Sequence, residues 1–239
     1  MILYLVRHGD PIYDPDSLTP LGHEQAKAVA KRFALYGLDE VYASTSNRAI
    51  QTAKPTADLL KKEIKLEDWA NEGHAWANLT VQTADGGKTW AFYDQKTKEK
   101  FRSDEVRNLG KKWYTHPCFE MDFEPGIRRI DEACDEFLLR LGYKHEREKN
   151  AYISLAKNEK RIALFAHQGF GIAFLSSLCD IPYPIFSTTF DLSHSSVTAI
   201  YFEPQEEGQT VYPKILQLSN DSHLYKEGIL TGYNNGIKV

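Results

Sequence analysis

Cysteine is scarce in this chain of 239 residues: Cys118, Cys134 and Cys179 are all it has, an odd number at irregular spacing. Neither a disulfide framework nor the ligand spacing of a zinc finger is written there. An excess of one charge is also missing, since 29 Lys and Arg against 33 Asp and Glu leave a formal net charge of −4 with no charge block. A nucleic-acid binder is usually basic, so that class is set aside. Long apolar runs are missing too. Met1–Val6, the longest near the start, is far too short for a membrane span or a signal core, and the expected location is the reducing cytosol. No low-complexity tract and no internal repeat of solenoid length is visible.

What is there is an ordinary globular composition, 42% hydrophobic and 26% charged, which excludes disorder as the main description. Ile2–Val6 is a short continuous apolar run that suits a strand buried on both faces, and Arg7-His8-Gly9 breaks it. Thr19 is a good N-cap and Pro20 a good first helical residue; the helix they open runs to about Tyr36, where Gly37 stops it. Glu40–Ser44 reads as a strand, Asn47 to about Lys62 as a helix kinked at Pro55, and Ile64–Trp69 as a third strand. From Asn71 to about Pro125 no period is clean; three tryptophans and an Asp85-Gly86-Gly87 turn mark an insertion or lid. Arg128–Tyr143 and Glu146–Lys157 read as helices, Arg161–Ala166 as a buried strand, Ile172–Leu178 as a helix, and Val197–Phe202 with Val211–Leu218 as a late pair of strands. The alternation predicts an α/β fold, a three-layer α/β/α sandwich on a mostly parallel sheet. One domain is expected, with its core at about 1–72 and 160–220 and an insertion or cap at about 73–150.

Two segments rhyme. Ile2–Val6 runs into Arg7-His8-Gly9, and Ile162–Ala166 runs into His167-Gln168-Gly169. In open α/β sheets ligands bind at the carboxyl ends of strands, so both histidines are delivered to one edge. Arg7 lies between a buried strand and a glycine turn, where a charge needs a partner or an anion. Arg48 follows a short strand and opens a helix, against the dipole, at an end that favours anions. Two Arg and two His converging suit a phosphoryl group, because the guanidinium fork matches phosphate oxygens. His23, His74, His116, His145, His194 and His223 carry no metal-ligand spacing.

Leu5-Val6-Arg7-His8-Gly9 resembles the opening signature of the histidine phosphatase superfamily, which includes the cofactor-dependent phosphoglycerate mutases. Leu18-Thr19-Pro20-Leu21-Gly22, Ser44 through Ala53 around Arg48, and Ala166-His167-Gln168-Gly169 are similar to three further motifs of that family, in the same order. The resemblance covers about residues 1–72 and 160–203 and leaves the insertion uncovered. It implies that His8 is the nucleophile and becomes phosphohistidine, and that Arg7, Arg48 and His167 clamp the phosphoryl oxygens. Gln168 is expected to offer its backbone N–H to the phosphate. The family also uses an acid about two dozen residues after the second arginine; Glu72 stands there and is preferred to Asp68 and Glu67, which also read as ordinary strand-end charges. The family's usual apolar residue two before that acid is Ala70 here. Among lesser candidates, Tyr13 and Ser17 are in reach of substrate, Thr19 caps its helix, Asp10 stands where related enzymes vary, and His74 reads as a surface histidine.

The resemblance implies a phosphomonoester hydrolase of the histidine acid type, acting on a small molecule with no metal and no cofactor. Asp10-Pro11-Ile12-Tyr13 follows Arg7-His8-Gly9 where the mutase branch has Glu-Ser and a nearby Asn, which favours the phosphatase branch. Two alternatives stay open: a phosphoglycerate mutase-type phosphotransferase, and a non-catalytic module that binds phospho-ligands. Sugar phosphates, nucleotides, phosphopeptides and inositol phosphates all stay open as substrates, as does the oligomeric state.

Overall fold

Alternate residues of the first strand face different cores. Leu3 and Leu5 enter one apolar cluster, while Val6 enters the other with Tyr4 packed against it, so the strand is covered on both sides. A computed structural model describes residues 1–234 and 236–237. In it six strands form one sheet: β1 (Ile2–Arg7), β2 (Glu40–Ser44), β3 (Ile64–Glu67), β4 (Arg161–Ala166), β5 (Val197–Tyr201) and β6 (Lys214–Asn220). Their order is β6-β5-β1-β4-β2-β3. β1, β4, β2 and β3 run parallel, and β5 is antiparallel to both its neighbours. The mostly parallel α/β fold predicted from the sequence is therefore observed.

Helices α1 (Pro20–Ala34) and α2 (Asn47–Leu60) pack on each other and bury Val29, Phe33 and Ala53 against the Val6, Ala163 and Phe165 face. On the other face lie α3 (Glu72–Asn78), α4 (Glu124–Arg140) and α5 (Gln168–Leu178), with Phe137, Phe170 and Phe174 buried against Leu5 and Leu164. Thr19 caps α1 by accepting the Gly22 N–H at 3.0 Å, as expected, and Gly37 ends that segment at φ 72°. Pro55 lies inside α2 without ending it. Residues 71–125 hold α3, a two-stranded ribbon (Thr80–Gln82 with Lys88–Trp90), two short helices and a 3₁₀ stretch. Leu79, Phe101 and Trp113 from this stretch share the core of the sheet.

Three expectations need correction. Glu146–Lys157 is no helix: Tyr143–Glu146 and Ala151–Ser154 pair as a hairpin, with Asn150 left-handed at φ 49° in its turn. The charged run Glu146–Lys149 suits a helix locally, but Ala151–Ser154 gains ladder partners on both sides, from β-hairpin and from Thr210–Val211. Val211–Leu218 is two pieces, because Pro213 has no N–H for a ladder; Thr210–Val211 joins the hairpin and Lys214–Asn220 joins the main sheet. Finally, Ile64–Trp69 leaves the strand after Glu67 for a 3₁₀ turn, Asp68–Ala70.

Candidate active site

The parallel register of β1 and β4 pairs Arg7 with Ala166, so the next residues, His8 and His167, leave the sheet side by side. Their ring centroids are 5.2 Å apart. The His8 backbone N–H still donates to Ala166 at 2.9 Å, which fixes the exit direction of the chain. Gly9 then passes Gly22 so closely that a Cβ would sit 2.7 Å from the Gly22 carbonyl oxygen. The reciprocal Cβ on Gly22 would meet the Asp10 oxygen at 2.3 Å, so both glycines are dictated by the crossing of the β1 exit over the start of α1.

His8 is 3% exposed, and its Nδ1–H donates to its neighbour's carbonyl, Gly9 O, at 2.7 Å. That bond fixes the tautomer and leaves the Nε2 lone pair available. Burial holds the His8 pKa well below its usual value, with His167, Arg7 and Arg48 adding to the effect, so the ring is neutral. His167 is fully buried and is held low by the same causes, burial first and then Arg48 and Arg7. Its Nε2 lies 2.8 Å from Ser44 Oγ at the end of β2, while its Nδ1 has no hydrogen-bond partner and lies 3.7 Å from Glu72 Oε2.

Arg7 is 1% exposed. It donates to the carbonyl of Leu192 and, at 2.5 Å, to Asn234 Oδ1 of the C-terminal segment, while its Nε has no partner. Arg48, in the first turn of α2, donates to Asp16 Oδ1 at 2.6 Å and lies under the Tyr13 ring, 5.5 Å from its centroid. Asp16 also accepts the Asn47 N–H at 2.7 Å, which ties the 10–18 loop to the start of α2.

Glu72 opens α3 after the β3 strand. Its carboxylate accepts the Gly169 N–H at 2.9 Å and lies 3.5 Å from the Phe170 nitrogen, at the amino end of α5. Burial pushes its pKa up to about 7 against the opposing pull of Arg48, the Gly169 N–H and Arg7. The rival acids are engaged elsewhere. Glu67 accepts from Trp69 Nε1 at 2.6 Å and Arg140 at 2.8 Å; Asp68 accepts from Thr45 at 3.0 Å and pairs with His74 at 3.0 Å. A cavity of about 620 Å³ opens between these groups, with Arg7, His8, Arg48, Glu72 and Gln168 in its wall. His167 stands behind it, against His8.

Of the other sequence candidates, Tyr13 lines the cavity, whereas Ser17 and His74 do not. Gln168 lines it and is held by Tyr93 at 2.6 Å, by Asp191 and by Asn234 at 3.1 Å. Several residues were not found from the sequence. His194 stacks 6.1 Å from His8, with its pKa pressed down to about 4 by burial, and its Nε2 lies 2.9 Å from Asn234 Oδ1. Asn234 lies in a C-terminal stretch with no strand or helix pattern to place it. Ser44 was legible only as a strand end. Trp76 and Trp90 belong to the tryptophans that mark the insertion in the sequence, and both line the cavity. Among the described residues no group of three or more His, Cys, Asp or Glu side chains is arranged to hold a metal ion, and no helix is long and apolar enough to cross a membrane.

Residues 3–112 match the family model of the histidine phosphatase superfamily (branch 1); His167 lies outside that span. The "Putative phosphoserine phosphatase 2" of Hydrogenobacter thermophilus is 33% identical over 79 residues, 29% of this chain and 39% of that protein, so the match spans well under half of the relative. The solved phosphoserine phosphatase of Entamoeba histolytica superposes with TM-score 0.58 at 19% identity, covering 93% of this chain and 98% of that one. A mycobacterial glucosyl-3-phosphoglycerate phosphatase gives 0.59 at 16% identity over 93% and 98%. The α-ribazole phosphatase of Shigella flexneri gives 0.56 at 18% over 92% and 97%. Over residues 3–112 the chain thus matches the histidine phosphatase superfamily, and its fold is shared with these solved phosphatases.

Proposed function

We propose that this chain is a phosphomonoester hydrolase that works through a phosphohistidine on His8, without a metal ion. The observation that carries the reading is the His8 ring, neutral and fixed by Gly9 with Nε2 available, at a cavity that also holds two guanidinium groups and a carboxyl whose pKa is raised to about 7.

The substrate's phosphoryl group sits against Arg7 and Arg48 in the cavity wall, whose donors meet its equatorial oxygens, and the unpartnered Nδ1 of His167, beside His8, is the third donor the reading calls on. Phosphoryl transfer asks mainly for positioning and charge stabilisation of this kind. His8 Nε2 attacks phosphorus, the bond from phosphorus to the ester oxygen breaks, and protonated Glu72 gives its proton to that oxygen. The alcohol leaves. Glu72, now a carboxylate, takes a proton from water; the hydroxide attacks phosphorus, the P–N bond breaks, and His8 returns to neutral imidazole with inorganic phosphate released. Glu72 serves as acid and then as base, so a pKa near neutrality suits both halves.

Hydrolysis of p-nitrophenyl phosphate in EDTA, wild type beside His8→Ala, tests the reading. Turnover in the wild type and none in the variant is expected. A strict requirement for a divalent metal, or equal turnover in both, overturns it.

A further inference from the structure

Glu72 and Trp76 stand four residues apart on α3, so they project from the same side of the helix. Both line the cavity. Trp76 is 38% exposed, and it meets the largely buried Trp90 edge to face, with ring centroids 5.0 Å apart and planes at 87°. Trp90 lies against the start of α5, so close that a Cβ on Gly169 would fall 2.4 Å from its ring. Tyr13 also lines the cavity and is 62% exposed. The acid that protonates the leaving oxygen therefore shares a wall with two indoles, and the body of the leaving alcohol passes along them.

The charges point the same way. Among the described residues, the lysine and arginine side chains lining the cavity are Arg7 and Arg48, and the phosphoryl group takes both. The carboxyl side chains in the cavity wall are Glu72 and Asp16, and Asp16 already holds Arg48 at 2.6 Å. Among the described residues, a second phosphate or a carboxylate on the substrate meets no further lysine or arginine side chain in the cavity wall.

Resting on the phosphatase reading, we infer that the preferred substrates are phosphomonoesters whose leaving alcohol carries a flat aromatic body and no second anion, held against Trp76 and Trp90.

The test uses three primary-alcohol esters, so that leaving-group chemistry varies little: 2-naphthylmethyl phosphate, butyl phosphate and 3-phosphoglycerate. The kcat/KM for the naphthylmethyl ester is expected to exceed the other two by about tenfold or more, the scale of one well-placed aromatic contact. Trp76→Ala should collapse the naphthylmethyl-to-butyl ratio toward one, while Trp76→Phe keeps most of it. The same ratio is read as Kd by calorimetry on His8→Ala, which needs no turnover. Comparable or better use of 3-phosphoglycerate, or a ratio unmoved by Trp76→Ala, overturns the inference. An intact binding preference without turnover of any ester in the wild type counts instead against the phosphatase reading.

Discussion

The carboxyl of Glu72 is seated on the amino end of α5, accepting the Gly169 N–H at 2.9 Å. Two influences oppose each other there. A helix amino end favours the ionised form, while burial favours the neutral one, and burial wins, leaving the pKa at about 7. In the proposed reaction the group must start protonated, so that the leaving group of an alkyl ester departs as the neutral alcohol. For an alkyl phosphate, kcat/KM is therefore expected to fall about tenfold per pH unit above about pH 7, with no such fall just below, because His8 stays neutral there. A pH–rate profile in steady state checks this. A profile that climbs to about pH 9 contradicts it.

The same shift has a thermodynamic side. The folded-state pKa of Glu72 lies above its ordinary 4.5, so the stability linked to the neutral carboxyl is fully present below about 4.5 and is lost as pH rises through about 7. The loss amounts to about 3 kcal/mol at full ionisation. Glu72→Gln, which cannot ionise, should raise Tm relative to wild type at about pH 8 and change it less at about pH 5. Thermal unfolding at the two pH values reads this directly; an equal difference at both removes the buried carboxyl from the account.

Catalytically the same substitution should be costly. Glu72→Gln is expected to lower kcat for an alkyl phosphate by about 10²–10⁴. An aryl phosphate, whose leaving group needs little protonation, should still phosphorylate His8 and then stall for want of a base. A burst of aryl alcohol followed by a slow steady state is the expected trace. Unchanged turnover would assign the proton transfer to another group.

Far from the cavity, His145 lies between Asp135 at 2.8 Å and Asp180 at 2.9 Å, with Tyr152 stacked on its ring at 4.0 Å. Arg147 also pairs with Asp135, and Lys111 with Asp180. Burial lowers the His145 pKa, but the bonds to the two carboxylates outweigh it, and the net shift is upward. The stabilisation is thus fully present below about 6.5, the unfolded value, and is lost as pH rises through the raised one. His145→Gln should destabilise by about 1–3 kcal/mol at about pH 6 and by less at about pH 9. Urea unfolding at both pH values decides it, and an equal loss at each would mean that His145 is neutral throughout.

Most of the sheet was legible because its strands are local patterns. Glu40–Ser44 and Arg161–Ala166 are unbroken β-rich runs between turn residues, and they fold where the sequence puts them. The hairpin at Tyr143–Ser154 was not legible, because its pairing with Thr210–Val211 is a long-range contact with no trace in the local charge pattern. The site divides in the same way. Arg7, His8, Arg48 and His167 sit at strand ends and a helix start, where a motif marks them. Asn234 and His194 reach His8 and Arg7 only through the folded course of the last segment, and Trp76 gains meaning only from its helical phase with Glu72.

The proposed reaction passes through a covalent phosphoryl group on His8. The most direct measurement is a single turnover of aryl phosphate by Glu72→Gln, quenched in alkali and mapped by mass spectrometry. An alkali-stable, acid-labile phosphate is expected on the peptide that contains His8, absent when His8→Ala is added to the same variant. Phosphate release with no labelled histidine at any time point, or a label on another residue, would contradict it.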